Sequence, residues 1–353
     1  APRWGFVWMV AWPDLLARFR RFLVIGVGMA LVLAITLLLS AFAEGFNLRA
    51  ERLLNEINGD QYVVTEGAAG PMSSTIPFPT SVVTEVAGWP GVEAVTPLFL
   101  AQSAVLIEGQ PVGVVVVTTP EGAGWPTIVE GRAIAGEGEV VIDRELTELS
   151  VGDDFVLGGA NMNVVGMTEH ATWDIGTAGL FVDSQQGLEL FAGGQDVATA
   201  LVIDGDLARA PDGLEVQSRS AAFDDLLSRA ADAKRSIDSF RVTLWVLAGV
   251  IVGAVLYLSA LERVGDFAIF KATGASNSDL VVGLMVQAAM LGIVAGVFSI
   301  GLAHLMKPMY PGLLSLPVDV VWPVIAVAVF IAVLSSFVGI RRAISVDPSQ
   351  AFG

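Results

Sequence analysis

Cysteine is absent from the 353 residues. Disulfides, thiolate metal sites and cysteine nucleophiles are excluded with it, and cysteine gives no reading of redox compartment. Charge is scarce too: 16% of residues are Asp, Glu, Lys or Arg, where a soluble globular chain carries about 25%. Histidine occurs twice, and three lysines stand beside sixteen arginines. No G-x-x-x-x-G-K-[ST], H-E-x-x-H or G-x-S-x-G sequence and no metal-spaced histidine pair is present. An active site of the chain's own, ATP hydrolysis included, is therefore not expected.

What is abundant is apolar: 54% of residues are hydrophobic and the mean hydropathy is +0.68. Most of them lie in four blocks, Phe22 to Ala43, Val242 to Leu261, Leu280 to Leu305 and Val318 to Ile340. Each is long enough for a bilayer core, which takes about 20 residues, and each is nearly free of ionisable side chains, which are costly at mid-bilayer. His304 and Asp319 sit near block ends, where side chains snorkel to water. The first block runs 22 residues, longer than a signal-peptide core of about 7 to 15, and no clear small-x-small cleavage site follows. It reads as a permanent anchor.

Positive residues stay on the cytoplasmic side of short flanking segments. Arg18, Arg20 and Arg21 precede the first block, Arg263 and Lys271 follow the second, and Arg341 and Arg342 follow the fourth. The predicted fold is a membrane protein with four transmembrane α-helices and a mixed α/β extracytoplasmic domain inserted between spans 1 and 2. Its segments are a cytoplasmic amphipathic N-terminus (1–21), span 1 (22–43), the outer domain with helical stalks (44–240), span 2 (242–261), a cytoplasmic turn (262–279), span 3 (280–305), an outer link (306–317), span 4 (318–340) and a cytoplasmic tail (341–353). Both termini are thus expected inside the cell.

Residues 44 to 240 hold 30 acidic against 9 basic side chains, a net of −21, so the −17 of the whole chain belongs to this insertion. Such a lobe gives no support for nucleic-acid binding, which asks for a basic face. Its short β-branched runs, YVVT, AVLI, VGVVVVTT, EVVIDR, FVLG, MNVVGM and LFVD, are strand signals punctuated by Gly, Pro and Asp. AVLIEGQPVGVVVVTT predicts a hairpin, and Gly88 to Gly91 a turn. Helical spacing predicts an outward extension of span 1 over Phe46 to Asn58 and one helix over Ala221 to Phe240 leading into span 2.

One span, a large outer domain and then three spans resembles the MacB/FtsX superfamily of ABC transporter permeases over essentially the whole chain. LERVGDFAIFKATGASNSDL, Leu261 to Leu280, is similar to that superfamily's cytoplasmic turn between spans 2 and 3, and RRAISVDPSQAF, Arg341 to Phe352, to its tail. Within the superfamily, YLSALERVGDFAIFKATG resembles permeases of the HrtB and DevC type, heme exporters among them, through Tyr257, Phe267, Lys271, Ala272 and Gly274.

The resemblance implies a bacterial plasma-membrane subunit that acts as a permease homodimer in lipid with two copies of an ABC ATPase, ATP and Mg being held on that partner. It implies coupling to the ATPase through Asp266, Phe267, Phe270, Lys271, Gly274 and Ala275. It also implies an amphipathic cargo, heme above others, taken from the outer leaflet where the outer ends of spans 1 and 2 meet. Glu44, Phe46, Arg49, Glu51 and Arg52 mark one such end, and Phe240, Arg241 and Trp245 the other. Aromatic faces suit a macrocycle, arginines its propionates, and a carboxylate such as Glu44 its iron. Met72, His170 and Tyr62 are further candidates. A MacB-like exporter of lipid, peptide or drug, or FtsX-like mechanotransmission to an outer partner, are the alternatives.

Overall fold

The computed structural model describes residues 19–107, 109–120, 123–169, 171–173, 176–262, 264–272, 274, 276–306 and 318–344. Most of the expected N-terminal segment, nearly all of the outer link, most of the tail, His170, Arg263 and Ala275 lie outside these residues. In chain order the elements are α1 (Phe19–Ile57), β1 (Gln61–Thr65), β2 (Phe78–Pro79), α2 (Ser81–Ala87), β3 (Val92–Leu98), β4 (Leu100–Ile107), β5 (Gln110–Thr119), β6 (Glu130–Gly131) and β7 (Glu139–Asp143). They continue with β8 (Asp154–Leu157), β9 (Ala160–Thr168), β10 (Thr172–Trp173), β11 (Thr177–Asp183), α3 (Ser184–Ala192), β12 (Val197–Ala198), β13 (Ala200–Gly205) and β14 (Leu214–Ser218). Among the described residues five helices follow: α4 (Arg219–Ser228), α5 (Ala231–Glu262), α6 (Val264–Ala272), α7 (Asn277–Met306) and α8 (Val318–Ile344). They fall into two compact units, Ala1–Gly45 with Lys234–Gly353, and Phe46–Ala233.

The first unit is helical. Among the described residues, three helices are long and apolar enough to cross a membrane, over Gly26–Ile57, Ala231–Ala254 and Asn277–Met306, and α8 contributes the shorter apolar stretch Val321–Phe337. In hydrocarbon every backbone polar group needs a partner within the helix. The same holds for hydroxyls: Thr36 Oγ1 donates to the Val32 carbonyl at 2.9 Å and Ser40 Oγ to that of Thr36 at 2.8 Å. Between α7 and α8 small residues set the spacing. A Cβ on Gly292 would lie 3.0 Å from Val329 Cα and 3.1 Å from the Ala328 oxygen, so only glycine lets these backbones approach so closely. Met29, Leu33, Leu37, Val252, Ala288 and Val324 are buried together in this bundle.

The second unit is mixed α/β. One sheet runs β14-β1-β13-β3; a larger one runs β4-β5-β11-β7-β9-β6, with β10 on β11 and β8 on β9. The expected hairpin is β4 and β5, in register from Leu100 opposite Val117 to Ile107 opposite Gln110. The β5–β11 and β7–β9 pairs are parallel. Leu54, Val64, Leu98, Val117, Trp125, Val141 and Phe181 share one buried cluster that draws on α1 and both sheets.

The helix predicted over Ala221 to Phe240 is two helices. Ser218 Oγ accepts from Ala221 N at the start of α4, and Ala230 N closes onto the Leu227 carbonyl at 3.0 Å, which ends that helix before α5 begins. The C-terminal end of α1 closes on Asn58, whose φ of 53° is a left-handed cap carried by a residue that tolerates it.

Candidate functional site

The residues expected at the outer ends of spans 1 and 2 are held in different ways. Glu44 is half-buried on α1. Phe46 is 3% exposed, so its ring is committed to packing. Arg49 is almost as deeply placed, and its Nη2 donates to Glu145 Oε1 at 3.0 Å. Gly176, with φ of +110°, makes the room: a Cβ there would sit 2.8 Å from Arg49 Nη1. Glu51 and Arg52 are exposed. Met72 is 4% exposed, with its backbone N–H bound to Asp225.

Tyr62 is wholly buried, and that burial pushes its phenol up to about 12. A neutral phenol sealed in the small sheet is a packing group, and a poor partner for iron.

On α5, Arg241 Nη1 donates to Asp238 Oδ1 at 2.9 Å, and the guanidinium carbon lies 5.5 Å from the Trp245 ring centroid, within cation–π range. Arg241 Nε and Trp245 Nε1 are both buried atoms without an acceptor among the described residues. Buried N–H groups are ordinarily paired. Phe240 beside them is 64% exposed, and Val246 and Leu247 carry the exposed apolar surface onward. This short segment offers an aromatic face, a cation and two unused donors within five residues of one helix.

At the other end of the same helix, α6 hangs on Phe267, which is 2% exposed and packs with Ala260 and Leu280, with Phe270 against them. Asp266 and Ile269 are exposed and Lys271 partly so. The chain leaves α6 through Gly274, at φ +95°, whose N–H donates to the Lys271 carbonyl at 3.1 Å. It re-enters α7 through a capping box: Ser276 Oγ accepts from Asp279 N at 3.2 Å while Asp279 Oδ2 accepts from Ser276 N at 3.0 Å. Asp266 and Ile269 thus share the exposed face of α6, and Phe267 and Ala268 the buried one.

The second unit has two recesses that sequence reasoning did not find. A cleft of about 710 Å³ is walled by Trp125, Pro126, Ile128 and Ile134 and edged by Glu137 and Asp183. A smaller recess of about 20 Å³, room for one water, lies between the 72–75 segment, β4, Trp173 and Arg229. The smaller recess draws its walls from segments between residues 72 and 229, whereas those of the cleft lie within residues 119–141 apart from Asp183.

Comparison with known proteins gives these features a setting. The description "MacB-like periplasmic core domain" matches residues 22–216, and "FtsX-like permease C-terminal" matches residues 239–348. An uncharacterised ABC transporter permease of Mycobacterium tuberculosis is 34% identical over 96% of this chain and 97% of its own length. A candidate hemin transport system permease, HrtB, of Staphylococcus haemolyticus is 19% identical over 70% of this chain and 72% of its own. The crystal structure of the periplasmic region of MacB from Actinobacillus actinomycetemcomitans is similar at 12% identity and a TM-score of 0.36, over 48% of this chain and 94% of that one. With both domain types in their order and near-complete coverage by a permease relative, the chain belongs to the ABC transporter permeases of the MacB/FtsX type, multi-pass plasma-membrane subunits that work with a separate ATPase.

Proposed function

We propose that the chain is the permease of an exporter that expels heme from the outer leaflet, as a homodimer driven by two copies of the partner ATPase. In this reading four helices span the membrane, both termini lie in the cytoplasm, and the insertion stands outside. ATP closure below draws the outer ends of spans 1 and 2 together and displaces the cargo.

The observation that carries the reading is the Arg241–Trp245 pair with its two unpartnered buried donors beside exposed Phe240. A planar, apolar dianion satisfies all of it at once: ring on ring, carboxylate on guanidinium. The partial similarity to HrtB points the same way. Glu44, half-buried near the outer end of its apolar run, is the iron ligand in this proposal.

The test is a heme titration of the purified permease with its ATPase, followed in the Soret band. A saturable, shifted band is expected, about tenfold weaker in Arg241→Ala, the loss of one charge-assisted contact of roughly 1.4 kcal/mol. In Glu44→Ala the band should move toward that of heme lacking a protein ligand. A spectrum matching heme in empty micelles overturns the reading, and what copurifies would then separate lipid, peptide and drug cargoes. The cleft edged by Glu137 and Asp183 favours one second reading, FtsX-like mechanotransmission through an outer partner. In that case function would survive Arg241→Ala and fail on changes in the cleft.

A further inference from the structure

The walls of the larger cleft in the second unit are tied down by three neighbouring elements. Glu56 on α1 accepts from Thr127 N. Val129 N and Arg132 N donate to the Met167 and Val165 carbonyls of β9, each at 2.9 Å. Gly138 N donates to Gln186 Oε1 on α3 at 3.0 Å. Trp125 is 6% exposed, its ring edge-on to Phe181 with 6.2 Å between centroids, and what surface it keeps lines the cleft beside Pro126, Ile128, Ile134 and Val141.

The bond from Gly138 to Gln186 gathers charge on one side. Asp183 is the N-cap of α3, its Oδ1 accepting from Gln185 N at 2.9 Å, and Glu137 directly precedes Gly138, so both carboxylates edge the cleft where the loop meets α3. Glu137 is exposed and has no hydrogen-bond or ion-pair partner among the described residues. Arg132 on the same loop does not neutralise it, because that guanidinium is already engaged by Glu139 at 2.7 and 2.5 Å and by the Ala133 carbonyl at 3.0 Å. Among the described residues that line the cleft there is no Lys, Arg or His. In an insertion of net −21 an anion is repelled on approach, whereas a cation is drawn in and meets the two carboxylates at that edge.

We propose that this cleft binds a small organic cation, one ammonium on a compact apolar body: nitrogen at Glu137 and Asp183, body along Trp125, Pro126 and Ile134. Its volume of about 710 Å³ falls inside the range of about 300 to 1,000 Å³ of ordinary ligand pockets. The edge repels a dianion such as heme, and every residue of the site belongs to the second unit. The site is thus separate from the cargo position at Arg241, and either proposal can fail alone.

The test uses the full chain in detergent, labelled with 5-fluorotryptophan, and three probes that share one apolar body: 2-phenylethylammonium chloride, 2-phenylethanol and sodium 3-phenylpropionate. Eight tryptophans give a countable fluorine spectrum, and Trp125→Phe assigns the resonance that matters. The ammonium should move the Trp125 resonance saturably, with half-saturation about fivefold or more below that of the alcohol, and the carboxylate should leave it in place. Glu137→Gln, and Asp183→Asn, which keeps a capping side chain, should each weaken the ammonium about threefold and together bring it level with the alcohol. The other resonances should hold, which shows the fold is kept; where Asp183→Asn disturbs them, Glu137→Gln carries the test. Equal half-saturation by ammonium and alcohol in the unaltered chain overturns the proposal. So does an ammonium advantage that survives the variants, as the general field alone would give. A Trp125 resonance that none of the probes moves also overturns it, and leaves the cleft to an outer protein.

Discussion

Arg132 grips Glu139 with both ends of its guanidinium, Nη1 to Oε2 at 2.7 Å and Nη2 to Oε1 at 2.5 Å, and Ala135 N adds a third bond to Oε2 at 2.8 Å. The Arg132 hydrogen bond is the main cause, and the Ala135 amide the next, of a carboxyl lowered from 4.5 to about 2. Because the folded chain favours the ionised form, its contribution to stability is complete above about pH 4.5 and drains away as pH falls toward about 2. Glu139→Gln should therefore melt a few degrees below wild type at neutral pH. The gap should close steadily across that acid window, read by thermal melts of the solubilised chain at several pH values. A gap that stays constant down to about pH 2 would remove the carboxylate from the account. The pair lies outside the membrane-spanning helices, on the loop that walls the larger cleft, so its loss should loosen Ile134 and Glu137 before anything else.

At the scale of elements, legibility followed locality. The hairpin of β4 and β5 was readable because both strands and their turn lie within twenty residues, and the α1 run because hydrocarbon allows little but helix. The strands β13 and β14 were not readable. Each pairs with β1 across a gap of well over a hundred residues, and ALVIDG and LEVQS carry no alternation strong enough to announce it. Arg49 was legible as a cation near a span end but not as the buried partner of Glu145, ninety-six residues on.

The α6 turn is the element whose chemistry was local enough to read. Its expected role rests on rigidity: Phe267 pinned below, Gly274 turning the chain, and the Ser276–Asp279 box restarting it. Lys271→Glu reverses the charge on that ridge without touching the pins. With the ATPase reconstituted, it should leave basal hydrolysis intact and erase most of the stimulation by cargo. Full stimulation in the variant would remove this turn from the coupling path.

For the whole molecule, charge and hydropathy make one argument. An insertion of net −21 is joined to apolar helices whose short flanks carry Arg and Lys, and moving such a lobe to the cytoplasmic face would carry those cations outward against the usual asymmetry. The chain has no cysteine, so a single introduced thiol reports its own compartment. Thr84 on α2 and Ser278 on α7 are both exposed and bear no part of either proposed site. In right-side-out vesicles a membrane-impermeant maleimide should label Thr84→Cys at once and Ser278→Cys only after permeabilisation. The reverse pattern would put the insertion inside and the α6 ridge outside, where no ATPase could reach it, and the export reading would fall with the orientation. The expected pattern leaves the ridge on the side where ATP is held, with the Arg241–Trp245 pair at the opposite end of the same helix. The unbroken run of α5 from Arg241 to Glu262, about 32 Å at 1.5 Å per residue, then links the two.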